Sequence, residues 1–232
     1  MEARRTAAAR NNAEWCDVVV RSHASPTRFD DDAWTSRTRT PLYYPDAVTL
    51  VPTPDVRDLL SRIDASAGCS IKDSFAALDL APYGFYVLFD AEWIVRSSPS
   101  SAGADPPGGW TRVCDRDGLS AWENAWRSED GPTDLFRPEL LDLESVAVLA
   151  LHADNRVVAG AILNRSSSVV GVSNVFATSG SDSECWSGCV AYAASIFPAM
   201  PLVGYESGDG LVAARSHGFM TTGPLRVWMF GG

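Results

Sequence analysis

The chain has 232 residues, 46% of them hydrophobic and 21% charged, a balance that excludes disorder along the whole chain and allows one large or two small domains. The formal net charge of -10 repels phosphate backbones, so it argues against a nucleic-acid binder and suits a cationic partner or an amine substrate. No apolar run is long enough to cross a membrane, and the first residues lack the apolar core of a signal peptide. We therefore expect a cytoplasmic protein without membrane contact.

Cysteines and histidines give no pattern of a disulfide framework or a metal site. The five cysteines are scattered and odd in number, and His23 and His152 have no ligand at a metal-binding spacing. Cys185 and Cys189 are four residues apart in a predicted helix, which favours two small core residues. A cysteine nucleophile paired with a distant histidine remains the alternative. We predict no metal.

The first half of the chain contains helices and strands separated by proline and glycine. An apolar stripe from Ala7 to Val19 indicates an N-terminal helix, and an acidic turn follows at 30–32. The predicted elements here are helices over 2–22, 55–63 and 72–80 and strands over 46–51 and 84–95. Residues 97–109, rich in serine, glycine and proline, predict a linker or loop after a first region of residues 1–96.

The second half is more regular and defines the fold class. The predicted strands are 110–113, 145–151, 157–164, 169–176, 202–206 and 224–229, and the predicted helices are 119–126, 183–197 and 209–217. Strands two to four in this list follow each other through short turns, which predicts an antiparallel meander. The chain is therefore expected to form an α/β (α+β) fold with a mixed, mainly antiparallel sheet flanked by helices.

The tail of the chain carries a resemblance to a known family. Val203-Gly204-Tyr205-Glu206, a short helix ending in His217-Gly218-Phe219, and the closing strand from Gly223 to Trp228 resemble the GNAT superfamily of acyl-CoA-dependent N-acyltransferases. The strand and helix from Trp110 to Trp126 are similar to those that open that fold. The resemblance implies a GNAT-like domain over 110–232. Because Gly84-Phe85 also precedes a strong strand, residues 1–96 would either complete the sheet or form a degenerate second half.

The resemblance also implies a cofactor, acetyl-CoA or another acyl-CoA. In the family, two central strands splay apart around the pantetheine arm, and a glycine-containing loop binds the pyrophosphate at a helix N-terminus. The positions that match are Ser173, Asn174, Val175, Phe176, Gly180 and Ser181. The loop departs from the family pattern, since Gly180 is its single glycine and Asp182 and Glu184 stand where phosphates would bind.

The family's usual general acid is a tyrosine, and its position falls on Ala214 or Arg215, neither of which donates such a proton. The candidates for proton handling are Glu206, Tyr205 and His217, with Ser173 as a further one. Each has a structural alternative. Glu206 could be a carboxylate at the end of a strand, Tyr205 a packed aromatic ring and His217 a residue at a helix end. Ser173-Asn174 could be a β-bulge.

Three functional hypotheses remain open from the sequence. The first is an N-acyltransferase acting on an amine-bearing small molecule or peptide, and the second is a catalytically inactive ligand-binding or protein-interaction module of the same fold. The third is a homodimer whose tryptophans form an interface. An enzyme should keep an opening between strands 169–176 and 202–206, whereas a binding module could fill it with Trp186 or Phe176.

Overall fold

A computed structural model describes residues 1–98, 108–178 and 182–231, and for residues 182 and 183 the backbone only. The α-helices are α1 (Glu2–Ser22), α2 (Val56–Ser61), α3 (Arg116–Trp126), α4 (Asp182–Ile196) and α5 (Gly208–Ser216). The strands are β1 (Thr27–Phe29), β2 (Ala33–Ser36), β3 (Ala47–Thr49), β4 (Ser70–Asp73), β5 (Phe85–Arg96), β6 (Trp110–Arg112), β7 (Val146–Ala153), β8 (Arg156–Arg165), β9 (Val170–Ala177), β10 (Leu202–Glu206) and β11 (Met220–Phe230). Two 3₁₀ helices span Ala81–Tyr83 and Pro138–Asp142. Within the described ranges, no helix combines the length and apolar character that crossing a membrane requires.

The chain divides into two compact units, Met1–Trp93 with Thr222–Gly232, and Ile94–Thr221. We predicted a first region of 1–96, a linker of 97–109 and a GNAT-like domain of 110–232 that included the closing strand. In the structure, the closing strand groups mainly with the first unit instead. Most of β11 groups with the first unit because its residues from Arg226 to Met229 pair with β4. Residues 99–107 of the predicted linker lie outside the described residues.

In the first unit the strands follow the order β1-β2-β3-β4-β11-β5. The β1–β2, β2–β3 and β4–β11 pairs are antiparallel, and β3 and β4 are parallel. Helix α1 buries a face that includes Ala9, Trp15 and Val19. A separate core cluster centres on Leu59, Ile71, Phe85 and Trp228.

One sequence prediction in this unit is wrong. Residues 72–80 were expected to be helical, but β4 occupies Ser70–Asp73 and the chain then turns. The buried carboxylate of Asp73 accepts hydrogen bonds from the backbone N–H groups of Phe75 and Leu78, at 3.0 and 2.8 Å, and so fixes this turn. Pairing of Lys72 with Val48 on one side and Val227 on the other outweighs the local helical pattern.

In the second unit, the strand order is β10-β9-β8-β7-β6, with the last residues of β5 beside β10. Strands β6 to β9 are antiparallel to their neighbours, which confirms the predicted meander, and β9 and β10 are parallel. Helix α3 begins at Asp115, whose side chain accepts a hydrogen bond from the Gly118 N–H at 2.8 Å. Its Trp122 is fully buried, and the indole Nε1 donates to the Leu149 carbonyl at 2.8 Å.

The two units repeat one order of elements. Each has three consecutive antiparallel strands, a helix, and a strand parallel to the third: β1 to β4 around α2, and β7 to β10 around α4. Each then has a short helical segment, a glycine with positive φ, and a phenylalanine that begins a long strand, as Phe85 does in β5, or directly precedes one, as Phe219 does before β11. These glycines are Gly84, with a φ of +87°, and Gly218, with a φ of +83°. This repetition supports the interpretation of the N-terminal region as a degenerate second half.

Candidate functional site

In the second unit, the pairing of the two parallel strands ends before the strands themselves do. β9 and β10 are in register at two positions, Val170 with Leu202 and Gly171 with Val203. The strands are still close one residue later, because a Cβ added to Gly204 would lie 2.7 Å from the carbonyl oxygen of Val172. Registered pairing ends there, although β9 continues to Ala177 and β10 to Glu206. We call the space that follows the β9–β10 opening.

A β-bulge in β9 lies beside this opening. Gly160 pairs with Phe176 and Ile162 with Ser173, so Asn174 and Val175 together face one residue of β8. Asn174 has a φ of +53°, a left-handed conformation that asparagine tolerates better than most residues. The backbone groups of the bulged residues are therefore released from regular pairing with β8. The bulge that was the structural alternative at Ser173-Asn174 is therefore present, but it is formed by Asn174 and Val175, because Ser173 still pairs with Ile162.

Ser173 stands at the point where the two strands separate. The residue is half-buried, but its hydroxyl oxygen is fully covered and has no hydrogen-bond partner among the described residues. A buried hydroxyl without a partner costs about 1–3 kcal/mol. Neighbouring Phe176 is directed to the α3 side, where its ring meets Trp122 edge-on at 5.3 Å.

Glu206 lies at the end of β10, where α5 begins. A Cβ added to Gly210, in the first turn of α5, would lie 2.5 Å from Oε2 of Glu206, so the carboxylate folds over the helix N-terminus. The helix dipole and free N–H groups favour a negative charge there. Tyr205 and Glu206 are both half-buried and follow the last close approach of β9 and β10 at Gly204. Ser173, Tyr205 and Glu206 therefore all lie just beyond the last close approach of β9 and β10, with Tyr205 and Glu206 on opposite faces of the sheet.

His217 is not brought to the opening. It ends α5 at the opposite terminus from Glu206, and nine helical residues separate the two by roughly 13 Å along the axis. Its backbone carbonyl accepts a hydrogen bond from Nε of Arg96 at 2.9 Å. The prediction of His217 as a catalytic residue therefore finds no support in the geometry, and its alternative as a residue at a helix end fits the position.

Helix α4 follows β9 and carries the proposed phosphate-binding end. Gly180 and Ser181, predicted to bind the cofactor, lie outside the described residues. Glu184 is exposed in the first turn of α4. Cys185 and Cys189 are buried core residues, and burial raises the pKa of the Cys189 thiol well above its ordinary value, with the adjacent Cys185 as a second cause. This environment disfavours either thiol as a nucleophile.

The two aromatic residues that could have filled the opening are held elsewhere. Trp186 is buried in the core on the α4–α5 face, where it packs edge-on against Phe219 at 4.9 Å. Phe176 contacts Trp122 on the α3 face. Phe176 projects from one face of the sheet, and Trp186 belongs to α4 and packs against Phe219, so neither ring lies in the plane between β9 and β10. The filled cleft that we associated with a binding module is therefore not formed by Trp186 or Phe176.

The corresponding place in the first unit is closed. There β3 and β4 pair at Ala47–Ile71 and Val48–Lys72, and the backbone N–H of Ser74 donates to Oγ1 of Thr49 at 2.9 Å just beyond. The position equivalent to Ser173, two residues past the last registered pair, is the buried Leu50. At the start of α2, Asp55 accepts from two backbone N–H groups of its own helix. The candidate site is therefore confined to the second unit.

The sequence did not identify two glycines that shape this site. Gly204 allows the close approach of β10 to β9, and Gly210 leaves room for the Glu206 carboxylate. The available signal was a glycine inside an otherwise apolar strand, which often marks close approach of two backbones. Among the residues that the structure describes, no group of three or more metal-ligating side chains is found.

Comparisons with solved structures identify the fold. The chain is similar to a GCN5-related N-acetyltransferase from Kribbella flavida, with 16% identity, a TM-score of 0.62, and coverage of 97% of this chain and 96% of that one. It is also similar to a putative acetyltransferase from the GNAT family from Novosphingobium aromaticivorans DSM 12444, with 14% identity, a TM-score of 0.60, and coverage of 94% and 96%. A functionally unknown conserved protein from Staphylococcus epidermidis ATCC 12228 matches with 10% identity, a TM-score of 0.58, and coverage of 90% and 95%.

No family model matches the sequence, and neither does any curated protein. The likeness to solved structures nevertheless extends over nearly the whole chain, including the N-terminal region. The chain therefore has the mixed α/β fold of the GCN5-related N-acetyltransferases, as the resemblance of its tail predicted.

Proposed function

We propose that this protein is an acyl-CoA-dependent N-acyltransferase whose acceptor is an amine on a small molecule or peptide. The observation that carries the proposal is the β9–β10 opening beside the bulge at Asn174. Such an opening fits a narrow, extended pantetheine arm, and the bulge leaves backbone groups of Asn174 and Val175 for a thioester. The names of the similar solved structures support the same chemistry.

The reaction needs an activated carbonyl carbon, which an acyl-CoA thioester supplies when bound. The amine nitrogen attacks that carbon, a C–N bond forms, the C–S bond breaks, and the sulfur leaves as a thiolate. An acceptor that arrives as an ammonium group first releases one proton to solvent, and the neutral nitrogen then loses a second proton as the amide forms. In this proposal the Glu206 carboxylate accepts that proton directly or through water, and Tyr205 donates one to the departing sulfur. Ser173 to Phe176 hold the acyl end.

The charge of the protein suits a cationic acceptor. A net charge of -10 attracts an ammonium group and raises its local concentration near the surface. Most of that attraction is screened beyond roughly 8 Å at physiological ionic strength. We therefore expect the turnover of cationic amines to fall as salt is added, in contrast to that of uncharged amines.

The direct test is calorimetric titration of acetyl-CoA and free CoA into the purified chain. We expect dissociation constants in the micromolar range, equivalent to about -8 kcal/mol. Release of free CoA thiol would then be followed with a panel of small amines and peptides. Absence of binding up to roughly millimolar ligand, about -4 kcal/mol, would contradict the proposal.

Glu184 gives a second prediction for the same site. An exposed carboxylate in the first turn of α4 repels a pyrophosphate bound at that helix end. Glu184→Gln is therefore expected to tighten CoA binding by about threefold to tenfold at low salt, with a smaller gain at high salt. The control is Glu129→Gln, an exposed glutamate after α3. Equal affinities of the Glu184→Gln variant and the wild type at low salt would argue against phosphate binding at α4.

The Glu184 carboxylate also favours a second candidate function, a catalytically inactive ligand-binding or protein-interaction module. A fold of this kind with an acidic α4 end could bind a cationic ligand or protein segment in place of a cofactor. The titration separates the two functions, because this inactive module would bind neither acetyl-CoA nor free CoA.

A further inference from the structure

In the second unit, two buried side-chain atoms have no hydrogen-bond partner among the described residues, Oγ of Ser173 and Nη1 of Arg96. Arg96 is bonded through its Nε to the His217 carbonyl, at the terminus of α5 remote from Glu206. Ser173 belongs to the site, because it stands two residues beyond the last registered pair of β9 and β10. An unpartnered hydroxyl there is unfavourable for stability, and such groups in native structures often reflect a function.

The closed unit shows what stability alone would place there. The equivalent residue is Leu50, which is buried, and the strands beside it are joined by the bond from Ser74 N–H to Thr49 Oγ1. An apolar residue fills such a position without an unsatisfied polar atom. At this position the pair that opens has the polar Ser173 where the closed pair has Leu50. The closed pair has its own unpartnered hydroxyl on the other strand, Oγ of Ser74, among the described residues.

We propose that the Ser173 hydroxyl donates a hydrogen bond to the carbonyl oxygen of the acyl group, so that the site distinguishes an acylated CoA from free CoA. This inference rests on the proposed function. Ser173 is half-buried as a residue, and rotation of its side chain between staggered rotamers moves Oγ by about 2.3 Å. Because Oγ has no hydrogen-bond partner in the described part of the chain, no hydrogen bond to that part is broken when it turns to the ligand.

Free CoA has no carbonyl at this position, and its thiol is a weak hydrogen-bond partner. The hydroxyl should therefore contribute to the affinity for acetyl-CoA and not to that for CoA. The hydrogen bond would also withdraw electrons from the carbonyl carbon and stabilise the oxygen as it gains negative charge during attack. Ser173 is thereby assigned as an acyl-binding residue.

The experiment measures the dissociation constants of acetyl-CoA and free CoA for the wild-type chain and for Ser173→Ala. We expect acetyl-CoA to bind the variant roughly fivefold to tenfold more weakly, while the affinity for CoA changes less than twofold. The matched control is Ser195→Ala in α4, whose hydroxyl donates to the Tyr192 carbonyl at 2.8 Å. It should leave the ratio of the two constants unchanged.

Thermal unfolding gives an independent readout. Removal of an unpartnered buried hydroxyl should leave the melting temperature of Ser173→Ala equal to or above that of the wild type, whereas a structural serine would lower it. If both ligands bind the variant with the wild-type ratio, the role of Ser173 is overturned and the proposed function stands. If the wild type binds neither ligand, the proposed function is overturned and this inference with it.

Discussion

Replacement of Gly160 by alanine is expected to lower the free energy of unfolding by about 3 kcal/mol. Gly160 lies in β8, and an added Cβ would overlap the indole nitrogen of Trp122, the ring of Phe176 and the carbonyl oxygen of Leu149. The last of these belongs to the backbone of the neighbouring strand, so it cannot rotate away. The clash would also disturb the hydrogen bond between Trp122 Nε1 and the Leu149 carbonyl.

Thermal unfolding followed by circular dichroism is the measurement, with an expected fall in the melting temperature of roughly 10 °C. Gly108 offers a matched control, because a Cβ there meets no atom within 4 Å and its φ is not positive. Gly108→Ala should change the free energy by less than about 0.5 kcal/mol. Equal stability of the two variants would show that β8 and α3 are not in the close contact described. Because Phe176 adjoins the bulge, Gly160→Ala should also weaken acetyl-CoA binding.

Glu123→Ala is expected to have an effect of similar size for a different reason. Glu123 is a buried carboxylate on α3 that accepts hydrogen bonds from the backbone N–H groups of Asp134, Leu135 and Phe136, at 2.8, 2.7 and 3.0 Å. Hydrogen bonds to a charged acceptor are stronger than neutral ones. Their loss leaves buried donors without an acceptor, which should lower the free energy of unfolding by about 3 kcal/mol.

Hydrogen exchange provides the most direct measurement, since the amides of residues 134–136 should lose protection before the rest of the second unit. Glu123→Gln retains one acceptor oxygen without the charge and should be intermediate. The exposed Glu129→Ala is the control and should be neutral. Full protection of the three amides in Glu123→Ala would contradict the anchoring role. Asp134 has a φ of +64°, and release of this loop would also relieve that unfavourable conformation.

The sequence alone determined the elements that depend on short-range patterns. The long strand β5, the meander from β7 to β9, helices α4 and α5, and the Gly-Phe turn before β11 were predicted close to their observed bounds. Periodicity, proline breaks and a glycine in a left-handed turn act within a few residues, so a local window contains the information. The fold class and the family resemblance followed from the order of those elements.

Only the tertiary structure decided how these elements pair and which candidates meet. The segment at 72–80 contains a strand because its flanks pair with β3 and β11, which are distant in sequence. β11 pairs with β4 of the first unit, and no local pattern specifies a partner strand. Likewise, Ser173, Tyr205 and Glu206 lie just beyond the last close approach of β9 and β10 while His217 lies at the opposite end of α5, because strand register and helix length set those positions. The sequence contained the reactive groups, and long-range pairing determined which of them could act together.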